Sequence, residues 1–242
     1  MEPWLNLPTR QMAFLILVAI LLGGGIFVIP DSTQAAFKKE TNPLMVVFDE
    51  DFEDGAGTAW CHPITTQAPN GQRFLGEYGN IETCLTLDQL PFHYYLIMEF
   101  DLYILRSWDG AEVDHGVIYP NIIGPDRWVF GVSGQEPLLT TTFSNWKDSK
   151  QHYPHTYLGG DLPSLSGASA VNTLGYTFGP LAMDSTYHMA YRIDHNAQSL
   201  HIDFIALWLQ SIEDESWGLD NVRVTLVTIE QPFHSFLPIA PR

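Results

Sequence analysis

From Tyr94 to Leu105 the chain alternates without a break. Leu96, Met98, Phe100, Leu102 and Ile104 fall on one side, and Tyr95, Ile97, Glu99, Asp101, Tyr103 and Leu105 on the other. A period of two with one wholly apolar face predicts a strand lying against a core. It stops at Ser107-Trp108-Asp109-Gly110, a turn carrying an acid at its tip. Weaker runs of the same kind predict strands over residues 44–48, 73–80, 82–87, 127–132, 137–144, 172–178, 186–195, 199–211 and 221–229. The 199–211 run is apolar on both faces near its end, which places it centrally in a sheet. Glycines inside 73–80 predict a bulge or a close backbone approach. Helical periodicity is lacking outside residues 12–29. Many short strands separated by Gly and Pro predict an all-β fold, a two-sheet antiparallel β-sandwich of jelly-roll type over residues 44–230.

Residues 12–29 form an unbroken apolar run after Arg10, followed by Ser32-Thr33-Gln34-Ala35-Ala36. Two readings of 1–36 stand side by side. A charged flank, an apolar centre and small residues before Ala36 describe a signal peptide cut after Ala35. Eighteen apolar residues also reach the lower limit for a membrane anchor, although Gly23-Gly24-Gly25 weakens a continuous helix. Either way the domain is exported: secreted, displayed at the cell surface or held to the membrane. Residues 37–43 read as a linker and residues 231–242, with Pro232, Pro238 and Pro241, as a Pro-rich tail.

Composition narrows the partners. The formal net charge is −17, from 28 acids against 11 bases. With no basic patch to neutralise phosphates, nucleic acid is excluded as a partner, and a membrane is expected only through residues 12–29 if they are retained. Two cysteines in an exported domain, Cys61 and Cys84, predict one disulfide, with two separate buried thiols as the other reading.

Acidic residues crowd at two places far apart in the chain. One is the turn at 49–55, with Asp51 and Glu53; the other is the stretch 214–224, read as a turn bent at Gly218 and running into a strand, with Asp220 beside Asn221. The expectation is that the first and last strands pair and bring the two turns together around calcium, with Asp51, Glu53 and Asp220 as ligands. Calcium suits this because it accepts 6–8 loop oxygens in flexible geometry. The plainer alternative is that these acids cap turns by bonding backbone N–H groups. Asp109, Asp126 and Glu215 are a second candidate cluster.

Several segments come in a recognisable order: Phe74-Leu75-Gly76-x-Tyr78-Gly79-Asn80, Phe100-Asp101-Leu102-Tyr103-Ile104-Leu105-x-Ser107-Trp108-Asp109-Gly110, Gly124-Pro125-Asp126-x-Trp128, Thr141-Thr142-Phe143-Ser144-Asn145, Gln151-x-Tyr153-Pro154 and Glu215-Ser216-Trp217-Gly218-Leu219-Asp220-Asn221-Val222. Together they resemble a β-sandwich module of exported bacterial proteins, over roughly residues 46–226. That module is similar in fold to the calcium-containing jelly-roll carbohydrate-binding modules. The resemblance implies a sandwich with a structural calcium between the start and end of the domain. It carries no activity, since one fold hosts many functions. The cysteine pair and the export segment lie outside it.

Candidate chemistry gathers in residues 145–170, the irregular part of the chain. Trp146, Tyr153 and Tyr157 are aromatic platforms for a sugar ring, with Asn145 and Gln151 as hydrogen-bonding neighbours. Tyr153 beside Pro154 reads equally well as a loop tied onto the sheet. Trp108 and Trp217, inside tight motifs, read as packing anchors. Enzymatic constellations are thin. Glu99 and Asp101 share a strand face, but the third acid of a sandwich-glucanase run is missing; Gly-x-Ser-x-Gly and phosphate loops are absent; His152 and His155 lack a third ligand. The function expected is a non-catalytic binding or adhesion module recognising carbohydrate or a surface protein. The alternatives are a membrane-anchored accessory subunit and a polysaccharide hydrolase.

Overall fold

The computed structural model describes residues 44–111 and 125–228; the expected export segment, linker and Pro-rich tail lie outside these residues. Every regular element among the described residues is a strand. In chain order they are β1 (Leu44–Glu50), β2 (Thr65–Gln67), β3 (Arg73–Tyr78), β4 (Glu82–Leu87), β5 (Tyr95–Arg106), β6 (Arg127–Val132), β7 (Leu139–Thr142), β8 (Lys150–Gln151), β9 (Leu162–Pro163), β10 (Ala170–Val171), β11 (Thr177–Phe178), β12 (Leu181–Ala182), β13 (Asp184–Ile193), β14 (Leu200–Leu207) and β15 (Glu215–Val227).

They form a two-sheet antiparallel sandwich of jelly-roll type. One sheet has seven strands in the order β10-β13-β5-β15-β3-β2, with β1 also on β15; the other has four, β4-β14-β6-β7. The chain changes sheet at β4, β5 and β6, returns to the large sheet at β10, and changes again at β14 and β15, so apart from the β2–β3 and β6–β7 pairs most neighbours in sequence within the two sheets face each other across the core. The pairs β8–β9 and β11–β12 stand apart as small hairpins.

The predicted apolar face of β5 is the core's centre: Leu96, Met98, Phe100, Leu102 and Ile104 are all fully buried. Phe100 meets Phe130 at 5.2 Å and Phe204 at 5.5 Å from the opposite sheet, in the tilted and edge-on arrangements that aromatic quadrupoles favour. β14 is central in its sheet, between β4 and β6, as its apolarity predicts. The other side of β5 is not uniformly wet. Tyr103 and Leu105 join Phe74, Ala68, Leu174 and Tyr176 in a second, smaller cluster on the outside of the large sheet.

The first and last strands do pair, Leu44 opposite Val227 through Glu50 opposite Val222. Three expectations need correcting. Residues 215–220 are strand, not turn: Glu215 to Asp220 pair with Arg106 to Asp101. Gly218 supplies no bend. A Cβ there would lie 2.3 Å from the Phe74 ring and 2.8 Å from the Leu75 carbonyl, so glycine is required by contact between strands. The irregularity sits instead at Asn221, whose φ of 51° falls in the left-handed region and coincides with a register shift in the β15–β5 pairing. Third, residues 172–176 are a loop rather than a strand, because Asp184 collects their N–H groups. Its Oδ1 accepts from Thr173 (2.7 Å) and Leu174 (3.0 Å), and its Oδ2 from Gly175 (3.0 Å) and Tyr176 (3.1 Å). The glycine expectation in 73–80 holds at Gly76, with φ of 133° and the Trp217 carbonyl 2.9 Å from where a Cβ would stand.

Candidate functional site

The paired ends of β1 and β15 bring the two acidic stretches to one corner. Asp220 is buried there. Its Oδ2 accepts from Tyr103 Oη (2.6 Å) and Gln72 Nε2 (2.7 Å), and its Oδ1 from the Asn221 N–H (2.8 Å). Burial raises its pKa against these bonds, and burial together with Asp220 raises that of Tyr103. Glu53 lies close by and exposed, its Oε1 accepting the Arg73 N–H at 3.0 Å, while Asp51 bonds the Glu53 N–H at 3.2 Å. The consecutive residues Gln72 and Arg73 thus connect Asp220 to Glu53. The preceding loop is tied by Glu50, a residue the sequence pattern did not single out, through the Gly57 N–H and Trp60 Nε1, both at 2.7 Å.

In the second candidate cluster two of the three acids meet. Glu215 opens β15, Asp126 precedes β6 and Asp109 lies in the turn after β5. Asp126 and Glu215 are buried, and their carboxyl groups lie against each other. Asp126 Oδ2 accepts the N–H groups of Asp109 (2.6 Å) and Gly110 (3.2 Å). Glu215 Oε2 accepts the Gln210 N–H at 2.5 Å. Burial pushes both carboxyls up; the charge of Asp126 adds to Glu215, and that of Asp109 to both.

Asp109 also lines a groove of about 620 Å³ with Trp146, Asp148, Asn172, Leu181 and Met183. Trp146 is held in place: its Nε1 donates to the Ser107 carbonyl (2.9 Å), its N–H donates to Ser144 Oγ (3.1 Å), and Phe178 stands edge-on to its ring at 6.0 Å. The β11–β12 hairpin supplies Leu181 and Ala182 to the wall. That hairpin was readable from Gly179-Pro180, a turn dipeptide between two short β-prone runs.

The remaining expected ligand residues divide. Asn145 reaches the groove but its amide is engaged inside: Nδ2 donates to the carbonyls of Ile104 (3.1 Å) and Arg106 (2.7 Å), and Oδ1 accepts from Ser185 Oγ (2.6 Å). Gln151 is fully buried and braces the irregular stretch, its Oε1 accepting from the Ser144 and Leu165 N–H groups and Tyr187 Oη, its Nε2 donating to the Tyr153 and Ser166 carbonyls. Tyr153 packs on Phe143 (5.0 Å) and Tyr187 (5.1 Å), the loop-tying role. Tyr157 lies away from the groove lining, where the Arg127 guanidinium stands 4.9 Å from its ring and 4.9 Å from that of Trp208.

Cys61 and Cys84 are joined in a disulfide, their Cα atoms 5.1 Å apart. His201 stands beside them; among the described residues these three alone place ligand-type atoms of three His, Cys or acidic side chains within 4.8 Å of one another. Sulfurs bonded to each other are not thiolate ligands. His152 is buried, with Nδ1 2.9 Å from Thr142 Oγ1, and burial lowers its pKa. Asp101 has both oxygens engaged, by His188 Nδ1 and Asn221 Nδ2, and its strand neighbour Glu99 lies opposite Arg223.

No protein-family model matches the chain, and no curated protein matches it. Several solved structures are similar. Dimeric latent PorU from Porphyromonas gingivalis is 10% identical with a TM-score of 0.34; the likeness covers 76% of this chain but only 12% of that one. The carbohydrate-binding module CBM6cm-2 from Cellvibrio mixtus lichenase 5A, in complex with cellotriose, is 14% identical with a TM-score of 0.30, covering 74% of this chain and 97% of the module. The K3 cleaved adhesin domain of Lys-gingipain from Porphyromonas gingivalis w83 is 11% identical with a TM-score of 0.38, covering 74% and 98%. Likenesses this distant carry no inference about ligand or partner.

Proposed function

We propose that this chain is a non-catalytic, extracytoplasmic binding module, stabilised by calcium, whose groove at Trp146 takes a carbohydrate. The observation that carries the proposal is a partly buried tryptophan, fixed by two hydrogen bonds, in a groove that also offers Asp109, Asp148 and Asn172. A rigid ring contributes apolar contact to one face of a pyranose, and neighbouring polar groups give its hydroxyls partners. The disulfide supports export. The engagement of both Asp101 oxygens speaks against Glu99 and Asp101 as a free carboxylate pair. A glycan array read with wild type and Trp146→Ala tests the reading. Wild type is expected to bind a defined glycan class and the variant to lose about tenfold or more in affinity while remaining folded. A wild-type protein that binds no glycan removes the carbohydrate from the proposal.

A second reading, docking on a surface protein, is favoured by a separate feature. Leu44, Met45 and Val46 on β1 are about half exposed, and Phe92 is 69% exposed with Tyr94 edge-on to it at 5.1 Å. Both groups adjoin Val227, which pairs with Leu44 and accepts the Tyr94 N–H at 2.9 Å. Crosslinking to a partner that Phe92→Ser abolishes, with glycan binding unchanged, would establish it as a distinct surface.

A further inference from the structure

The two ends of the disulfide stand in different surroundings. Cys61 is exposed, whereas Cys84 on β4 is buried, so a thiol in solution reaches the bridge from the Cys61 side. The buried sulfur has a row of polar side chains behind it. Cys84 and Thr86 share one face of the β4–β14 pair with Asp203 and His201, Cys84 lying opposite Asp203 and Thr86 opposite His201. Thr86 Oγ1 is 4.0 Å from Cys84 Sγ and 2.9 Å from His201 Nδ1, and Asp203 Oδ1 is 3.1 Å from His201 Nε2. His201 is exposed, so the row leads from water to the sulfur that the fold covers.

Nor does the bridge alone hold its two segments together. The Cys61 N–H donates to the Cys84 carbonyl and the Thr86 N–H to the Ala59 carbonyl, both at 2.9 Å. Trp60, next to Cys61, is buried against Phe48, Phe52 and Phe204, with Nε1 donating to Glu50. These contacts keep the two sulfurs neighbours when the bond between them is opened.

We propose that Cys61–Cys84 is a reversible redox site, opened at Cys61 by a thiol and closed again from Cys84. A thiolate RS⁻ attacks Cys61 Sγ and bonds to it, and the Cys61–Cys84 bond breaks with its electron pair left on Cys84 Sγ. The Thr86 hydroxyl donates to the new thiolate, which speeds the step because a better-stabilised thiolate leaves faster. A proton from water, passed through His201 Nδ1 and Thr86 Oγ1, then makes Cys84 a thiol. Asp203 fixes the His201 ring by its contact with Nε2. A second RS⁻ attacks the R sulfur of the adduct, forms RSSR, and leaves Cys61 as a thiolate that takes a proton from water. In sum, the disulfide and two RSH give a dithiol and RSSR, and the reverse sequence closes the bridge. Thr86 and His201 are positioning residues here. The inference is independent of both the calcium and the carbohydrate in the proposed function.

The full oxidised chain is held in reduced glutathione without denaturant, alkylated at intervals and read by mass, as wild type, Thr86→Val, Thr86→Ser and His201→Ala. The reduced wild type is then melted and returned to oxidised glutathione. Glutathione is the discriminating reagent because a purely structural bridge resists it. The expected result is opening of the wild type through a glutathione adduct on Cys61, a cooperative melt of the reduced chain, and closure in oxidised glutathione. Opening should slow at least about fivefold in Thr86→Val and His201→Ala and recover in Thr86→Ser, a recovery that a packing role for Thr86 does not require. A wild-type bridge that opens only when denaturant is added overturns the site, as does a reduced chain that no longer melts cooperatively. Equal opening rates in all four proteins overturn the part given to Thr86 and His201. If Thr86→Val does not fold, the exposed substitution His201→Ala carries the same comparison.

Discussion

Asp184 shows how much one side chain can decide. It is buried at the start of β13 and accepts four backbone N–H groups from residues 173–176. Those donors have the loop's curvature only while a divalent acceptor stands inside it. Asp184→Ala should therefore cost at least about 3 kcal/mol, because four donors lose their acceptor at once, and Asp184→Asn should fall between it and wild type. Urea melts check the order; an Ala variant as stable as wild type would contradict it. Leu174 and Tyr176 lie in that loop and cover Tyr103 and Leu105, so the damage should spread to the outer cluster. None of this was legible in the residue pattern, because 172–178 reads as an ordinary β-prone run and the acid that overrides it is eight or more residues away. The acids of 49–55 and 214–220 were legible as residues that matter, but not as to which of them meet. Asp220 is claimed by Gln72 and Tyr103, neither of which stands near it in sequence.

Among the elements, β15 is the one on which the others converge. Its thirteen residues pair with β5 on one side and with β3 and then β1 on the other. Its tightest point is Gly218, where β3 presses the Phe74 ring against the backbone. Gly218→Ala should destabilise by about 3 kcal/mol through overpacking, and Phe74→Leu in the same chain should return part of that loss. A double variant no more stable than Gly218→Ala would show that the clash with the Leu75 carbonyl dominates. β5 was fully legible in advance, since twelve alternating residues admit one register for the core. β15 was misread at its start because Gly218 and three acids in seven residues carry the composition of a turn. What overrides that composition is burial. A glycine can mark a bend or a close approach, and only the partner strand tells which.

At the scale of the whole molecule, pH reports on buried and half-buried histidines as well as on acids. Burial lowers the pKa of His152 and of His195 below the ordinary value of 6.5. The unfolded chain then binds more protons than the folded one as pH falls through 6.5, so stability contributed by the neutral imidazoles is present above that value and lost below it. Asp126 and Glu215, whose carboxyls burial pushes up, act in the opposite sense over the same range, so the histidine contribution is read as a difference: from about pH 7 down to about pH 5 the denaturant midpoint of His152→Asn, which keeps an acceptor facing Thr142, should gain on that of wild type. Parallel curves for the two proteins would mean that His152 does not contribute to the slope.

Leu44 stands opposite Val227, so the chain enters and leaves the described sandwich at one point. A load applied between those two positions would not shear the sandwich along its strands. It would peel β1 from β15 one hydrogen bond after another, beginning with the pair at the point of attachment. The sandwich is thus mechanically soft between its two ends, and β1 parts from β15 before the pairing of β15 with β5 and β3 is loaded.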